Sequence, residues 1–281
     1  MREIKAATVA ETVRRLFLKA NITADPAVCT AFKHARGRET GTLPIHVLDC
    51  LEENLNAAER TGLPICQDTG MAVVFVDMGV DVHLTGGYLQ EAVDMGVSEA
   101  YLDGKMRCSI VEDPLYHRKN TDNNTPALIH LRQVPGDKMS ITVAPKGFGS
   151  ENMSRIRMFT PAATEDDIVS FVVQTVLAAG ANPCPPIVVG VGLGSDFEGV
   201  ALLAKRALTR PLGAPHAEAD YAALEERLLT EINRLGIGPQ GFGGATTALA
   251  VHVEKAPTHI AGLPCAVNIC CHVYRHATGI L

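Results

Sequence analysis

The 281 residues contain no CxxC pair and no GxxxxGK[ST] loop. The first absence removes the usual zinc-ribbon and thioredoxin signatures, although the chain has eight cysteines, at 29, 50, 66, 108, 184, 265, 270 and 271. The second excludes a P-loop, and "GVGLGSDFEG" fails the dinucleotide pattern GxGxxG: counted from Gly190 the sixth position is Ser195, and counted from Gly192 it is Phe197. Positive charge is not in excess, since 25 lysines and arginines stand against 31 aspartates and glutamates, a formal net charge of -6. That balance argues against a nucleic-acid partner, which calls for a basic face. No apolar stretch reaches the roughly 18 residues a membrane span needs. The opening "MREIKAATVAETVRRLFLKAN" is amphipathic, interrupted by charges and followed by no cleavage-site pattern, so it reads as a helix and not as a signal peptide. A cytoplasmic protein without a disulfide framework is expected. There is no internal repeat and no low-complexity linker.

What is present is a chain 47% hydrophobic, with enough apolar residues for a substantial core. Helices are expected at 4–20, around Cys29, at 45–60 and near 88–102, with Cys29 and Cys50 as packing residues. A strand is expected at 72–77. "ALIHLRQV" and "KMSITVAP" read as an antiparallel pair joined by a turn at Pro135, Gly136 and Asp137. Thr164 caps a helix running to Ala179, with Asp166 and Asp167 in its first turn. "PPIVVGVGLG" reads as a buried strand, followed by helices at 199–208 and about 219–235, with an exposed excursion at 210–220 between them. "TTALAVHVE" and "PCAVNICCHV" are the last strands. The alternation predicts an α/β fold, a mixed sheet with surrounding helices, as a single large domain over residues 1–281.

Chemistry concentrates in loops that follow or precede strands. "PICQDTGM" sets the Cys66 thiol beside Gln67 and Asp68 on turn-forming residues. "NPCPP" holds Cys184 in a rigid, extended setting. "NICCHVYRH" has adjacent cysteines, of which a strand would turn only one toward a given side. "KGFGSEN" and "GPQGFGG" are glycine-rich, as is "GVGLGSDFEG", and backbone N–H groups in such loops can approach a ligand closely. Taken singly, each thiol is more simply a buried small hydrophobe, as Cys265 reads. Three thiolates with no fourth suit either an iron–sulfur cluster with one open iron or a catalytic zinc with one open position. Spacing does not choose between them.

In order, "CQDTG", "PLYHRKNTDNNTPA", "KGFGSEN", "CPPIVVGVGLG", "GIGPQGFGG", "THIAGLP", "AVN" and "CHVYRHA" resemble the class I fumarate hydratases and L-tartrate dehydratases, oxygen-sensitive iron–sulfur hydro-lyases. The resemblance covers about residue 40 to the end. It implies that Cys66, Cys184 and Cys271 hold a 4Fe-4S cluster. It implies substrate contacts from Gln67, Asp68, Arg107, Gly149, Asn152, Ser154 and Arg155, and proton handling by Asp68 and His259. The chain departs from the common family pattern at Ser195, Cys265 and Cys270. It ends five residues after His276, so the resemblance implies an α subunit whose site is completed by a separate β subunit, as an α2β2 assembly. "KGFGSEN" and "THIAGLP" look more like the fumarase side. Reversible hydration of fumarate to (S)-malate, a step of the tricarboxylic acid cycle, is therefore the expected reaction, with L(+)-tartrate dehydration as the alternative.

The implied chemistry is coherent. An iron with an open position acts as a Lewis acid on a hydroxyl and a carboxylate. Charge developing on the other carboxylate calls for fixed cationic donors, and Arg107 suits a bidentate clamp. Two readings of another class stand beside it: a non-catalytic zinc-binding or scaffold protein, and an electron-transfer protein, which would normally carry four cysteine ligands.

Overall fold

The computed structural model describes residues 1–281. In chain order the elements are β1 (Arg2–Lys5), α1 (Ala6–Ile22), α2 (Pro26–Arg38), α3 (Thr42–Thr61), β2 (Met71–Gly79), β3 (Val82–Thr85), α4 (Leu89–Asp103), β4 (Leu128–Val134), β5 (Met139–Lys146), α5 (Phe148–Glu151), β6 (Arg155–Phe159), α6 (Glu165–Ala179), β7 (Ile187–Ser195), α7 (Phe197–Ala207), α8 (Ala219–Asn233), β8 (Ala248–Thr258), β9 (Leu263–Cys270) and β10 (Ala277–Ile280). A 3₁₀ turn at Pro239–Gly241 precedes β8. The class is α/β with mixed sheets and surrounding helices, as the alternation of elements indicates. The chain divides into two compact units, residues 1–24, 54–148 and 275–281 in the first, 25–53 and 149–274 in the second. No helix is long and apolar enough to cross a membrane.

The first unit is built on the sheet β10-β5-β2-β4, with β1 and β3 as a separate parallel pair. β2, "MAVVFVDMG", is apolar almost throughout, and Val73, Val74 and Val76 are buried to within 2%. A fully buried side chain of this kind contributes about 1.5–3 kcal/mol, which is why β2 takes the interior of the sheet. Here the structure corrects the sequence reading: β4 and β5 do not pair with each other. β2 lies between them, parallel to β4 and antiparallel to β5. The turn at 135–137 exists but wraps the end of β2, where Gly79 donates to Lys138 O at 2.8 Å and Asp81 to Gly136 O at 3.0 Å. β4 is the mostly exposed edge. α1 begins at Ala6 and not at residue 4, because Arg2–Lys5 pair with Val82–Thr85.

The second unit carries the sheet β6-β9-β7-β8, with β7 parallel to β8 and antiparallel to β9. Thr164 and Asp167 form a reciprocal cap at the start of α6: Asp167 N–H donates to Thr164 Oγ1, and Thr164 N–H to Asp167 Oδ2 at 2.7 Å. The glycines of "GVGLG" are spent on packing. A Cβ at Gly190 would lie 2.1 Å from Ala204 O and one at Gly192 2.2 Å from Val200 O, so α7 rests directly on β7. The segment 210–220 is tied at its root. Arg210 pairs with the buried Glu225 at 2.7 Å and donates to Val253 O and Ala214 O. Cys50 is a second correction. It is exposed, because the buried line of α3 runs through Pro44, Leu48, Leu55 and Ala58 and leaves position 50 off that face. Cys29 is half-buried.

Candidate active site

In the first unit the "CQDTG" loop joins α3 to β2. Cys66 and Asp68 are half-buried, Gln67 is exposed, and Thr69 and Gly70 are buried. Three consecutive carbonyls of this loop are held from inside by buried side chains. Arg275 Nη2 donates to Asp68 O. The Tyr101 hydroxyl lies 2.8 Å from both Thr69 O and Gly70 O, and Asn124 Nδ2 donates to Gly70 O at 3.1 Å. Burial pushes the Tyr101 phenol well above its ordinary value, so it remains a donor. Asn124 Oδ1 also accepts Ser109 N–H at 2.8 Å, and Thr69 Oγ1 donates to Arg107 O at 3.0 Å. The exposed Arg107 is thereby fastened beside the loop that carries Cys66, Gln67 and Asp68.

The Asp68 carboxylate is held at both oxygens. Oδ1 accepts Gly70 N–H at 3.0 Å and Oδ2 accepts Phe148 N–H at 2.9 Å. Gly147 gives it room, since a Cβ there would sit 3.1 Å from Oδ2. Gly70 is the tightest point. Its φ is +83°, and a Cβ would come within 2.7 Å of Lys146 N. Gly70→Ala is expected to lower stability by roughly 2–4 kcal/mol, from left-handed strain and a clash with backbone that cannot yield. A urea midpoint within error of the parent's would refute this.

In the second unit Cys184 stands between α6 and β7, exposed, with φ +54°. Its carbonyl accepts the backbone N–H of His272 at 3.2 Å, which brings the chain on either side of Cys184 and Cys271 together. Gln240 Nε2 lies 2.7 Å from Pro185 O and 3.2 Å from His272 Nδ1. His272 Nδ1 also lies 3.1 Å from Cys184 O, a second tie between the two segments. Cys271 lies just past the end of β9 and is half-buried, whereas Cys270 is the last strand residue and is buried. Cys265 is buried inside β9, and burial pushes its thiol up to about 12. Among the cysteines at 184, 265, 270 and 271, Cys184 and Cys271 are the more open, the setting a thiolate ligand requires.

Gly149, Asn152 and Arg155 are exposed and Ser154 half-buried. Arg155 Nη1 donates to Asn152 O at 3.0 Å and to Ser154 O at 2.7 Å. Ser154 Oγ accepts from Asn268 Nδ2 at 2.8 Å and from Ile269 N–H at 3.2 Å. Asn268 also donates to Glu151 Oε2 at 2.7 Å, and Glu151 pairs with Lys205. His259 is exposed, its Nδ1 accepting Ala261 N–H at 3.1 Å. Asp68 belongs to the first unit and His259 to the second.

Arg275, Tyr101 and Asn124, and in the second unit Asn268, Glu151 and Gln240, carry organising bonds that motif reading did not assign. Four of the six lie inside the quoted motifs "NTDNNTPA", "KGFGSEN", "GPQGFGG" and "CHVYRHA", and Asn268 lies in "AVN". Only Tyr101 falls outside them. Their positions were available as signals, but their roles were not.

All eight cysteines are free. No three His, Cys, Asp or Glu side chains are gathered as a metal-binding group, and Cys66 belongs to the first unit while Cys184 and Cys271 belong to the second. The donor chemistry nevertheless fits a three-thiolate cluster. Cys66, Cys184 and Cys271 are soft donors, unbridged, and each is at least partly open at a loop.

Comparison with known proteins gives the family. The sequence model of the family described as fumarate hydratase (Fumerase) matches residues 10–280. The chain is 36% identical over 274 residues to a protein of Methanocaldococcus jannaschii provisionally named L(+)-tartrate dehydratase subunit alpha, covering 96% of each chain. It is 32% identical over 253 residues to the L(+)-tartrate dehydratase subunit alpha of Escherichia coli O157:H7, covering 89% of this chain and 83% of the relative. The same figures hold for the protein of that name in Escherichia coli K12. With a match spanning nearly its whole length, the chain belongs to the fumarate hydratase family of hydro-lyases.

Proposed function

We propose that the chain is the α subunit of an iron–sulfur hydro-lyase that dehydrates L(+)-tartrate in the cytoplasm, with a separate β subunit completing its site in an α2β2 assembly. The observation that carries this reading is the similarity along 89–96% of the chain to relatives named as α subunits of L(+)-tartrate dehydratase. The lean toward fumarate drawn from "KGFGSEN" and "THIAGLP" gains nothing from those names. Hydration of fumarate to (S)-malate stays as the second reading, favoured by the description of the family itself.

In this reading Cys66, Cys184 and Cys271 hold a 4Fe-4S cluster, which supplies Lewis acidity toward the departing hydroxyl. The openness of Cys271, against the buried Cys265 and Cys270, supports the choice of ligand. Arg107 is exposed and rigidly backed through Thr69, the setting for a bidentate grip on a substrate carboxylate. Gln67, Gly149, Asn152, Ser154 and Arg155 add polar contacts to the same dianion. Asp68 keeps lone pairs beyond the two N–H bonds it accepts, so it can take and return a proton without moving. His259, with its proton on Nε2, is the second proton-handling group.

The test is the complex of this chain with its β subunit, purified without oxygen and assayed on both substrates. We expect kcat/KM for L(+)-tartrate to exceed that for (S)-malate by at least about 10-fold, the discrimination that one well-used polar contact provides. A preference for malate selects the second reading. Turnover of neither overturns both.

A further inference from the structure

We infer that Arg275 is a positioning residue for Asp68, setting the carboxylate by clamping together the two backbone segments that hold it. The inference rests on the reading of Asp68 as a proton-handling group.

Asp68 takes its two hydrogen bonds from different stretches of chain, Gly70 N–H on its own loop and Phe148 N–H just past the end of β5. The placement of the carboxylate therefore depends on the gap between residues 68–70 and residues 145–148. Arg275 spans that gap. Its Nη2 donates to Asp68 O and its Nε to Pro145 O at 3.4 Å, one bond to each segment from a single planar group. The β2–β5 ladder already aligns Met71 with Lys146 and Ala72 with Pro145. Asp68 lies beyond the end of that ladder, where no strand pairing reaches it.

Arg275 is 8% exposed and belongs to the first unit, and its distance in sequence from Asp68 is 207 residues. Nη1 is buried without a partner. An unsatisfied buried donor is a cost, so the fork is kept in place by what Nε and Nη2 hold and not by saturation of all its donors. The site leaves no slack on the other side. Gly147 presents no Cβ to Asp68 Oδ2, and Arg275 Nη2 lies 3.9 Å from where that Cβ would stand. A displacement of the clamp passes directly to the carboxylate, and small misplacements of a reacting group are costly to rate. Lysine keeps the charge but offers one point in place of a fork, so it cannot hold both carbonyls in the same geometry.

The test uses Arg275→Lys in the anaerobically purified complex with the β subunit, with Arg275→Gln as a second variant. Turnover is measured on whichever of tartrate and malate the parent prefers. In the parent background we expect kcat to fall roughly 10- to 100-fold with KM changed less than about 3-fold. In an Asp68→Asn background the same substitution is expected to cost less than about 2-fold, because the group being positioned is already gone. An arginine that served only the fold would cost the same factor in both backgrounds, and that result overturns the inference. So does a loss that falls wholly in KM.

Amide exchange in the same complex decides the point without activity. Gly70 and Phe148 N–H are expected to exchange at least about 10-fold faster in Arg275→Lys, while Ile141 and Val143 in β5 keep their parent rates. Unchanged exchange at both amides overturns the inference. If the parent complex turns over neither substrate, the functional reading fails, and the exchange result alone decides the positioning role. Failure of both variants to fold overturns it too, by making Arg275 a residue of the fold.

Discussion

Cys66→Ser, Cys184→Ser and Cys271→Ser are each expected to abolish the visible absorbance of the anaerobically reconstituted protein. Turnover of the complex should fall well beyond the roughly 10- to 100-fold that follows loss of an outer-shell partner of a metal site. The chemical reason is the change from a soft thiolate to a hard hydroxyl that does not ionise near neutrality. The structure makes the experiment clean at Cys184. Its backbone is fixed through its own N–H to Ala181 O at 3.0 Å and through its carbonyl to His272, so serine inherits the same frame and the loss reports the sulfur. Cys50→Ser is the control, since that thiol is exposed on α3, 3.7 Å from His46 Nε2. The adjacent cysteines supply the sharpest contrast. Full absorbance in Cys271→Ser with none in Cys270→Ser would reverse the ligand assignment. A colourless protein containing zinc and no iron would favour the zinc-binding reading.

Where local chemistry decides local structure, the sequence was readable. Thr164 and Asp167 announce the start of α6, and the apolar run at 187–194 announces a strand buried on both faces. The false hairpin shows the limit. Two alternating strands separated by Pro135, Gly136 and Asp137 carry every short-range sign of direct pairing. The competing fact is the greater apolar content of β2, which takes the place between them, and nothing local to 127–146 records it. The helix at 45–60 is there, but the reading of Cys50 as a packing residue failed for a related reason: one apolar-looking position was assigned to a face that the period of α3 does not include. Cys270 and Cys271 could not be separated while the strand was extended to residue 273, and its end at Cys270 is what leaves Cys271 open. The candidate site was legible as residue types in loops. Its support was not, because Arg275, Tyr101 and Asn124 donate to the bare carbonyls of residues 68–70, and such bonds exist only once distant segments close. The glycines of "GVGLG" misled in the opposite direction, looking like a ligand loop when α7 needs them for contact.

The isolated chain, even with its cluster rebuilt, is expected to turn over tartrate or malate about 100- to 10,000-fold more slowly than the complex with its β subunit. The candidate residues of this chain are divided in kind. They supply three thiolates, one well-backed cation at Arg107, a second at Arg155 whose Nη1 is already occupied by Asn152 O and Ser154 O, and one anchored carboxylate at Asp68. A dicarboxylate whose second carboxylate gathers negative charge on the way to the transition state needs more than one unoccupied cationic donor aimed at it. In the proposed function the separate β subunit supplies what this chain lacks. Exposed loops at Gln67, Gly149, Asn152 and His259 are solvated in the isolated chain, and water there weakens each electrostatic contact that the site relies on. The comparison requires the chain alone and the chain with its β subunit, prepared in parallel without oxygen, matched for iron content and assayed at saturating substrate. Matched iron content removes cluster loss as the cause of any difference. Equal rates per cluster would show that this chain holds a complete site, and the requirement for a second subunit would fall.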